Sequence, residues 1–354
     1  MYRIFLFFIL MTPALAWPSL EGLTYMSPTG KNVFWEKIPV KICISKKVPV
    51  HIQKSIKEAV QIWNNNFKKK IFETSCLMDL VDFKEGDDAH HGIYWVTAGF
   101  EKYTDKTSLG RTLVEFEDSG KMRDGDILLN GQYYQWQGSQ IDAVSVLIHE
   151  LGHLLGLKHL LASIDSSMSY FPYLSGYQHH SFGEYENAVV SSIYLKAKKT
   201  IPLYLCAYFK KDYKLAIKEL EGKKNKSVNE EFFLAQLYKG QGDFSSAKKY
   251  FLKYLNINSK NSYAHYHLAD TYWNLNDLKQ AEKSFLETLK LNPRYVEANM
   301  NLGLIYIKQG QHEKGMTFLK KSLEMNPANW PACEILFKQT KKEEFKKCVL
   351  RFRP

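Results

Sequence analysis

Between residues 228 and 330 the chain repeats itself every 34 residues, and this periodicity restricts the fold more than any other feature. Leu234, Leu268 and Leu302 form one column; Tyr238, Tyr272 and Tyr306 form another. Ala247, Ala281 and Gly315, then Phe251, Phe285 and Leu319, then Leu255, Leu289 and Leu323 continue the register. Pro293 and Pro327 share a further column with Ser259. Within a copy, large apolar residues fall at helical spacing, as from Tyr263 to Leu275, and a polar turn such as Gly242-Asp243-Phe244 follows. A second apolar helix then stops at Asn292-Pro293 or Asn326-Pro327, because proline cannot continue it. Such a helix pair cannot bury its apolar face alone, so the copies must stack.

These columns resemble the tetratricopeptide repeat, with full copies at 228–261, 262–295 and 296–329. A degenerate copy is expected before them. Asp212-Tyr213 and Ala216 echo Asp243-Phe244 and Ala247 at a shift of 31. A capping helix is expected within 328–354. The resemblance implies an all-α solenoid over residues 198–354, with a concave face that takes extended segments of a protein partner. The aromatic columns are expected to be core. No chemistry is assigned to this half.

Chemistry lies in the first half. Residues 149–159 read His-Glu-Leu-Gly-His-Leu-Leu-Gly-Leu-Lys-His, after the helically spaced apolar run Ile141 to Ile148. His149 and His153 are one turn apart on one helix face, so two neutral imidazoles can share a cation. Gly156 lets the chain leave the helix, and His159 can return as a third ligand. Three protein ligands leave a fourth position open, the mark of a catalytic zinc site rather than a closed structural one. Glu150 stands beside the first ligand, where it can reach an attacking water. Ser167-Met168-Ser169 follows shortly after His159.

Together these residues resemble the metzincins, and within them the bacterial matrixin-like members. The resemblance implies an α+β catalytic domain over residues 17–197, a twisted mixed sheet with an active-site helix. It places an opening strand at 38–45, a long helix at 52–67 carrying Trp63, strands at 110–116 and 126–130, and a closing helix at 182–194. It implies one catalytic Zn2+ held by His149, His153 and His159. Glu150 would be the general base toward zinc-activated water, and Met168 the apolar floor. The strand from Gly110 through Arg111 and Thr112 to Leu113 would pair with an extended peptide substrate. Tyr170 would serve as an oxyanion or pocket residue, and Pro172 and Tyr173 as pocket wall. A structural Ca2+ or second Zn2+ has no complete ligand set in the loops of His90-His91 and His179-His180, so those histidines are expected as exposed loop residues. One departure from the family pattern is the short interval between Trp17 and the first strand, which leaves little room for a propeptide.

The remaining sequence sets the context. Among 354 residues, 45% are hydrophobic and 24% charged, which excludes a largely disordered chain. Residues 1–16 read as a signal peptide: Arg3, an apolar run from Ile4 to Leu10, then Ala14-Leu15-Ala16 before Trp17. Cleavage after Ala16 would make the protein secreted or periplasmic, and no apolar run reaches the roughly 20 residues needed to cross a membrane as a helix. Export permits disulfides. The five cysteines are an odd number, and Cys43–Cys76 is a candidate bridge. The net charge of +11 divides into −3 over residues 1–195 and +14 over residues 196–354. A basic second half suits an anionic surface or polymer, or simply a lysine-rich solvated face. No motif points to nucleic acid.

The expected activity is therefore that of an exported zinc metalloendopeptidase acting on protein or peptide substrates. A non-catalytic scaffold and a hydrolase of cell-wall peptides are its rivals.

Overall fold

The structure is a computed structural model and describes residues 24–78, 83, 91–104, 108–134, 136, 141–160, 167–168, 182–196 and 201–353. The signal segment, Tyr170, Pro172, Tyr173, His90, His179, His180 and the 197/198 boundary lie outside the described residues.

The first part is a mixed sheet backed by helices. Its strands are β1 (Val40–Ser45), β2 (Phe72–Met78), β3 (Gly92–Val96), β4 (Gly110–Phe116) and β5 (Met122–Asn130). They lie in the order β2-β1-β3-β5-β4, all parallel except β4, which runs antiparallel to β5 at one edge. The two-residue period of a strand decides which side chains meet. Val40, Ile42, Ile44, Ile93, Ile127 and Leu129 join the main core. Cys43, Tyr94, Val96 and Leu128 form a smaller core with Phe100.

Helix α1 (Val50–Phe67) buries Ile52, Ile56, Ala59, Val60, Trp63 and Phe67, a helical stripe that lies along α2 (Ala143–Leu154). Trp63 is fully buried, and its indole N–H donates to the Ile148 carbonyl at 3.1 Å. Truncating such a residue costs about 3–5 kcal/mol. A third helix, α3 (Glu184–Tyr194), closes this part.

Three differences from the sequence reading stand out. β2 and β3 were not foreseen, and β5 starts four residues earlier than the expected 126. β2 exposes Leu77 while burying Phe72 and Met78, so it lacks clean alternation. His91 is not a free loop residue: its Nδ1 lies 3.0 Å from Asp124 Oδ1, and its ring packs 4.4 Å from Trp35.

A helical array follows: α4 (Leu203–Phe209), α5 (Tyr213–Gly222), α6 (Val228–Gly240), α7 (Phe244–Ile257), α8 (Ser262–Asn274), α9 (Leu278–Leu291), α10 (Val296–Lys308), α11 (His312–Met325), α12 (Trp330–Thr340) and α13 (Glu343–Phe352). Consecutive helices pack as pairs and the pairs stack, the arrangement of a tetratricopeptide solenoid. Asp212, Asp243 and Asp277 each cap a second helix, accepting from the backbone N–H of Leu215, Ser246 and Gln280. Leu234, Leu302, Ala247, Ala281, Phe251, Phe285 and Leu319 are fully buried. The small-residue column has a direct cause at Gly303 and Gly315. A Cβ on either would come within 3 Å of the other's carbonyl oxygen, so α10 and α11 cross backbone to backbone there. The region after residue 328 holds two helices rather than the one expected cap.

Cys43 and Cys76 face each other on β1 and β2 and form a disulfide. A second disulfide, Cys333–Cys348, ties α12 to α13, and Cys206 is a free thiol.

Candidate metal centre

α2 begins at Asp142, whose carboxylate accepts from the backbone N–H of Val144 and Ser145 and from the Ser145 hydroxyl. Such a cap contributes about 1 kcal/mol. His149 and His153 then emerge one turn apart. Past the helix, Gly156 adopts φ +87°, and a Cβ there would lie 2.4 Å from the Val33 carbonyl oxygen. Glycine is thus required twice, for the left-handed turn and for the close approach of the 24–34 segment.

That turn returns His159 to the first two histidines. The three Nε2 atoms lie 3.0 Å (149 to 159), 3.1 Å (149 to 153) and 3.1 Å (153 to 159) apart. His149 Nδ1–H donates to the Ser167 carbonyl at 2.9 Å, and His153 Nδ1–H to the Leu157 carbonyl at 2.8 Å. A carbonyl only accepts, so in each neutral ring the proton is on Nδ1 and Nε2 presents a lone pair. At least two of the three converging nitrogens therefore have no proton to share, and only a cation relieves that arrangement. Tetrahedral zinc with Zn–N of about 2.0–2.1 Å has ligand–ligand edges of about 3.3 Å, close to these separations. The donor set fits zinc.

The next side chain is Glu150, buried to 7% exposure. Burial pushes its carboxyl up to about 7, against the opposing pull of the Thr112 hydroxyl and the Arg111 charge. Burial also holds His153 well below the usual imidazole range, with His159 and His149 adding to the effect. Met168 is fully buried under α2, and a Cβ on Gly152 would meet its Sδ at 2.2 Å. Glycine at 152 is what lets the methionine turn rise beneath the histidines.

A profile of the matrixin family matches residues 35–195, the span that contains all of these groups. This span is a matrixin domain. Tetratricopeptide-repeat profiles match residues 232–261 and 266–329, so the chain joins a matrixin domain to a repeat array. Among solved structures, the crystal structure of MamA is 18% identical, covering 42% of this chain and 90% of its own, with a TM-score of 0.38. YrrB, described as a tetratricopeptide-repeat protein with an unusual peptide-binding site, is 19% identical over 38% of this chain and 74% of its own, TM-score 0.34. The first such domain of Spaghetti, bound to an HSP90 peptide, is 22% identical over 30% of this chain and 85% of its own, TM-score 0.30. No curated protein matches the chain.

In the matrixin domain, Gly110, Arg111, Thr112 and Leu113 lie on β4, which among the described residues has β5 as its one neighbour in the sheet. They do not act alike. Gly110 backs onto Glu150, and a Cβ there would lie 3.0 Å from Oε1. Arg111 has a buried Nε without a hydrogen-bond partner. The Thr112 side chain turns to Glu150. Leu113 packs on the smaller core.

Several supporting residues were not foreseen. The Tyr25 hydroxyl lies 3.1 Å from His153 Nδ1. The Tyr185 hydroxyl accepts from Lys158 N–H at 2.8 Å, fixing the residue before His159. Glu186 is fully buried and binds the Ser167–Met168 turn. The last belongs to the closing helix expected at 182–194. Its glutamate three residues after Gly183 accepts from the Gly183 N–H, as at a helix start.

Proposed function

We propose that this protein is an exported zinc-dependent endopeptidase whose repeat array recruits a protein substrate or partner. The observation that carries the reading is the convergence of three histidine Nε2 atoms beside a buried glutamate, at the edge strand of a matrixin sheet. Zinc, when bound by His149, His153 and His159, supplies Lewis acidity toward the scissile carbonyl and lowers the pKa of water. Glu150 then has the general-base role. It takes a proton from the attacking water and returns it to the leaving nitrogen. The edge of β4 that no strand covers among the described residues offers backbone groups to an extended chain, a mode that reads main chain more than side chains. Export rests on residues 1–16, and the oxidising compartment it implies agrees with two disulfides. Among the described residues no helix is long and apolar enough to cross a membrane.

The test is cleavage of denatured casein by the mature chain and by Glu150→Ala, with zinc content measured for both. The expected result is one zinc in each and a loss of activity of at least about 100-fold in the variant. Zinc binding without cleavage by the wild type would leave the scaffold reading. Cleavage of muropeptides in place of casein would favour a cell-wall substrate.

A further inference from the structure

Thr112 lies on the edge strand and belongs to no ligand set. Its hydroxyl donates to Glu150 Oε2 at 2.6 Å, and Thr112 Oγ1 is also 3.0 Å from the Glu150 main-chain carbonyl. Two residues earlier, Gly110 leaves the other side of that carboxylate open, since a Cβ there would stand 3.0 Å from Oε1 and 3.1 Å from Cγ. A glutamate has three rotatable bonds, and a general base must hold its oxygen at one place to act. One face of the strand thus supplies both the space and the grip.

We infer that Thr112 is a positioning residue, holding Glu150 in the orientation from which it takes the proton of the attacking water. The inference rests on the endopeptidase reading above. The site is built by two strangers in sequence: α2 brings the base, and β4 brings the group that orients it. Threonine suits the place because its branched Cβ fits a strand while its hydroxyl reaches across.

The experiment compares wild type, Thr112→Val and Thr112→Ser on dye-labelled denatured casein, with zinc content and melting temperature measured for each. Valine keeps the shape and removes the hydroxyl; serine keeps the hydroxyl. The expected result is a kcat roughly 10- to 100-fold lower in Thr112→Val. KM should stay within about twofold and zinc content unchanged, and Thr112→Ser should recover most of kcat. Three results would overturn the inference: an unchanged kcat in Thr112→Val, a raised KM at constant kcat, or a loss that serine does not restore. Crystal structures of zinc-loaded wild type and Thr112→Val test it without turnover. The expected difference is one Glu150 rotamer in the first and several in the second; a single unchanged rotamer in both overturns the inference even if casein is never cut. Failure of the wild type to cut, with Glu150 displaced in Thr112→Val, would instead count against the endopeptidase reading alone.

Discussion

The carboxylate of Glu186 accepts the Ser167 hydroxyl and the Met168 N–H on Oε1, both at 3.0 Å, and the Gly183 N–H on Oε2 at 3.0 Å. Every donor points inward, and a carboxylate is the one side chain that only accepts on both oxygens. Glu186→Gln keeps the volume but turns an NH2 group toward one of these donors. A buried donor facing a donor costs about 1–3 kcal/mol. The consequence reaches the metal centre, because the Ser167 carbonyl receives the His149 Nδ1–H. Loss of an outer partner of this kind typically lowers metal affinity 10- to 100-fold. Glu186→Gln should therefore give up zinc to a competing chelator at roughly 10-fold lower chelator concentration, with a lower melting temperature. Equal zinc retention would show that the methionine turn holds itself without Glu186.

At the scale of elements, α10 carries a glutamate where its surroundings oppose charge. Glu297 sits in the first turn, which the helix dipole favours, yet its Oε2 is buried without a hydrogen-bond partner. Burial pushes its carboxyl up to about 7. The folded chain then holds a proton between about pH 4.5 and 7 that the unfolded chain has released, so stability falls as pH rises through that window. The loss is at most about 3 kcal/mol. Urea unfolding at pH 5 and pH 8 should show wild type losing more stability than Glu297→Gln; equal losses would remove Glu297 as the cause. The same scale explains what the sequence could show. α6 to α11 were legible because each helix repeats a burial column and most second helices an aspartate cap. α12 and α13 were not, because the break between them is Lys341 at φ 57°, a left-handed lysine that no sequence pattern announces. β2 and β3 escaped because one lacks alternation and the other is a short buried run, whose register comes only from its neighbours. The three histidines were readable since one continuous stretch carries them. Thr112, Tyr25 and Glu186 come from β4, the 24–34 segment and α3, and only the folded chain brings them to the site.

For the whole molecule, the decisive question is whether matrixin domain and array act as one body. Domains joined by small polar interfaces move independently. Here the junction is aromatic and partly buried. Tyr185 of α3 packs 4.9 Å from Phe209 of α4, and the Tyr204 hydroxyl donates to Glu184 Oε2 at 2.7 Å. The far end of the array returns to the first part as well. Phe352, 6% exposed, meets Tyr133 at 6.0 Å, and the Arg351 guanidinium lies 6.0 Å from the same ring. Tyr133 follows β5, which pairs with Gly110 beside Glu150, whereas α3 holds the methionine turn beneath His149. The array therefore contacts the matrixin domain at two places, through α3, which holds the methionine turn, and through Tyr133, which follows β5. Two such contacts couple the halves, since opening either exposes buried aromatic surface worth roughly 1.5–3 kcal/mol per large side chain. Calorimetry of the wild type should give a single transition whose calorimetric and van't Hoff enthalpies agree. Phe352→Ala removes the returning contact while leaving α4 on α3, and should split or broaden that transition. Two separate transitions already in the wild type would mean that the halves touch without sharing stability, and casein cleavage would then be insensitive to Phe352→Ala.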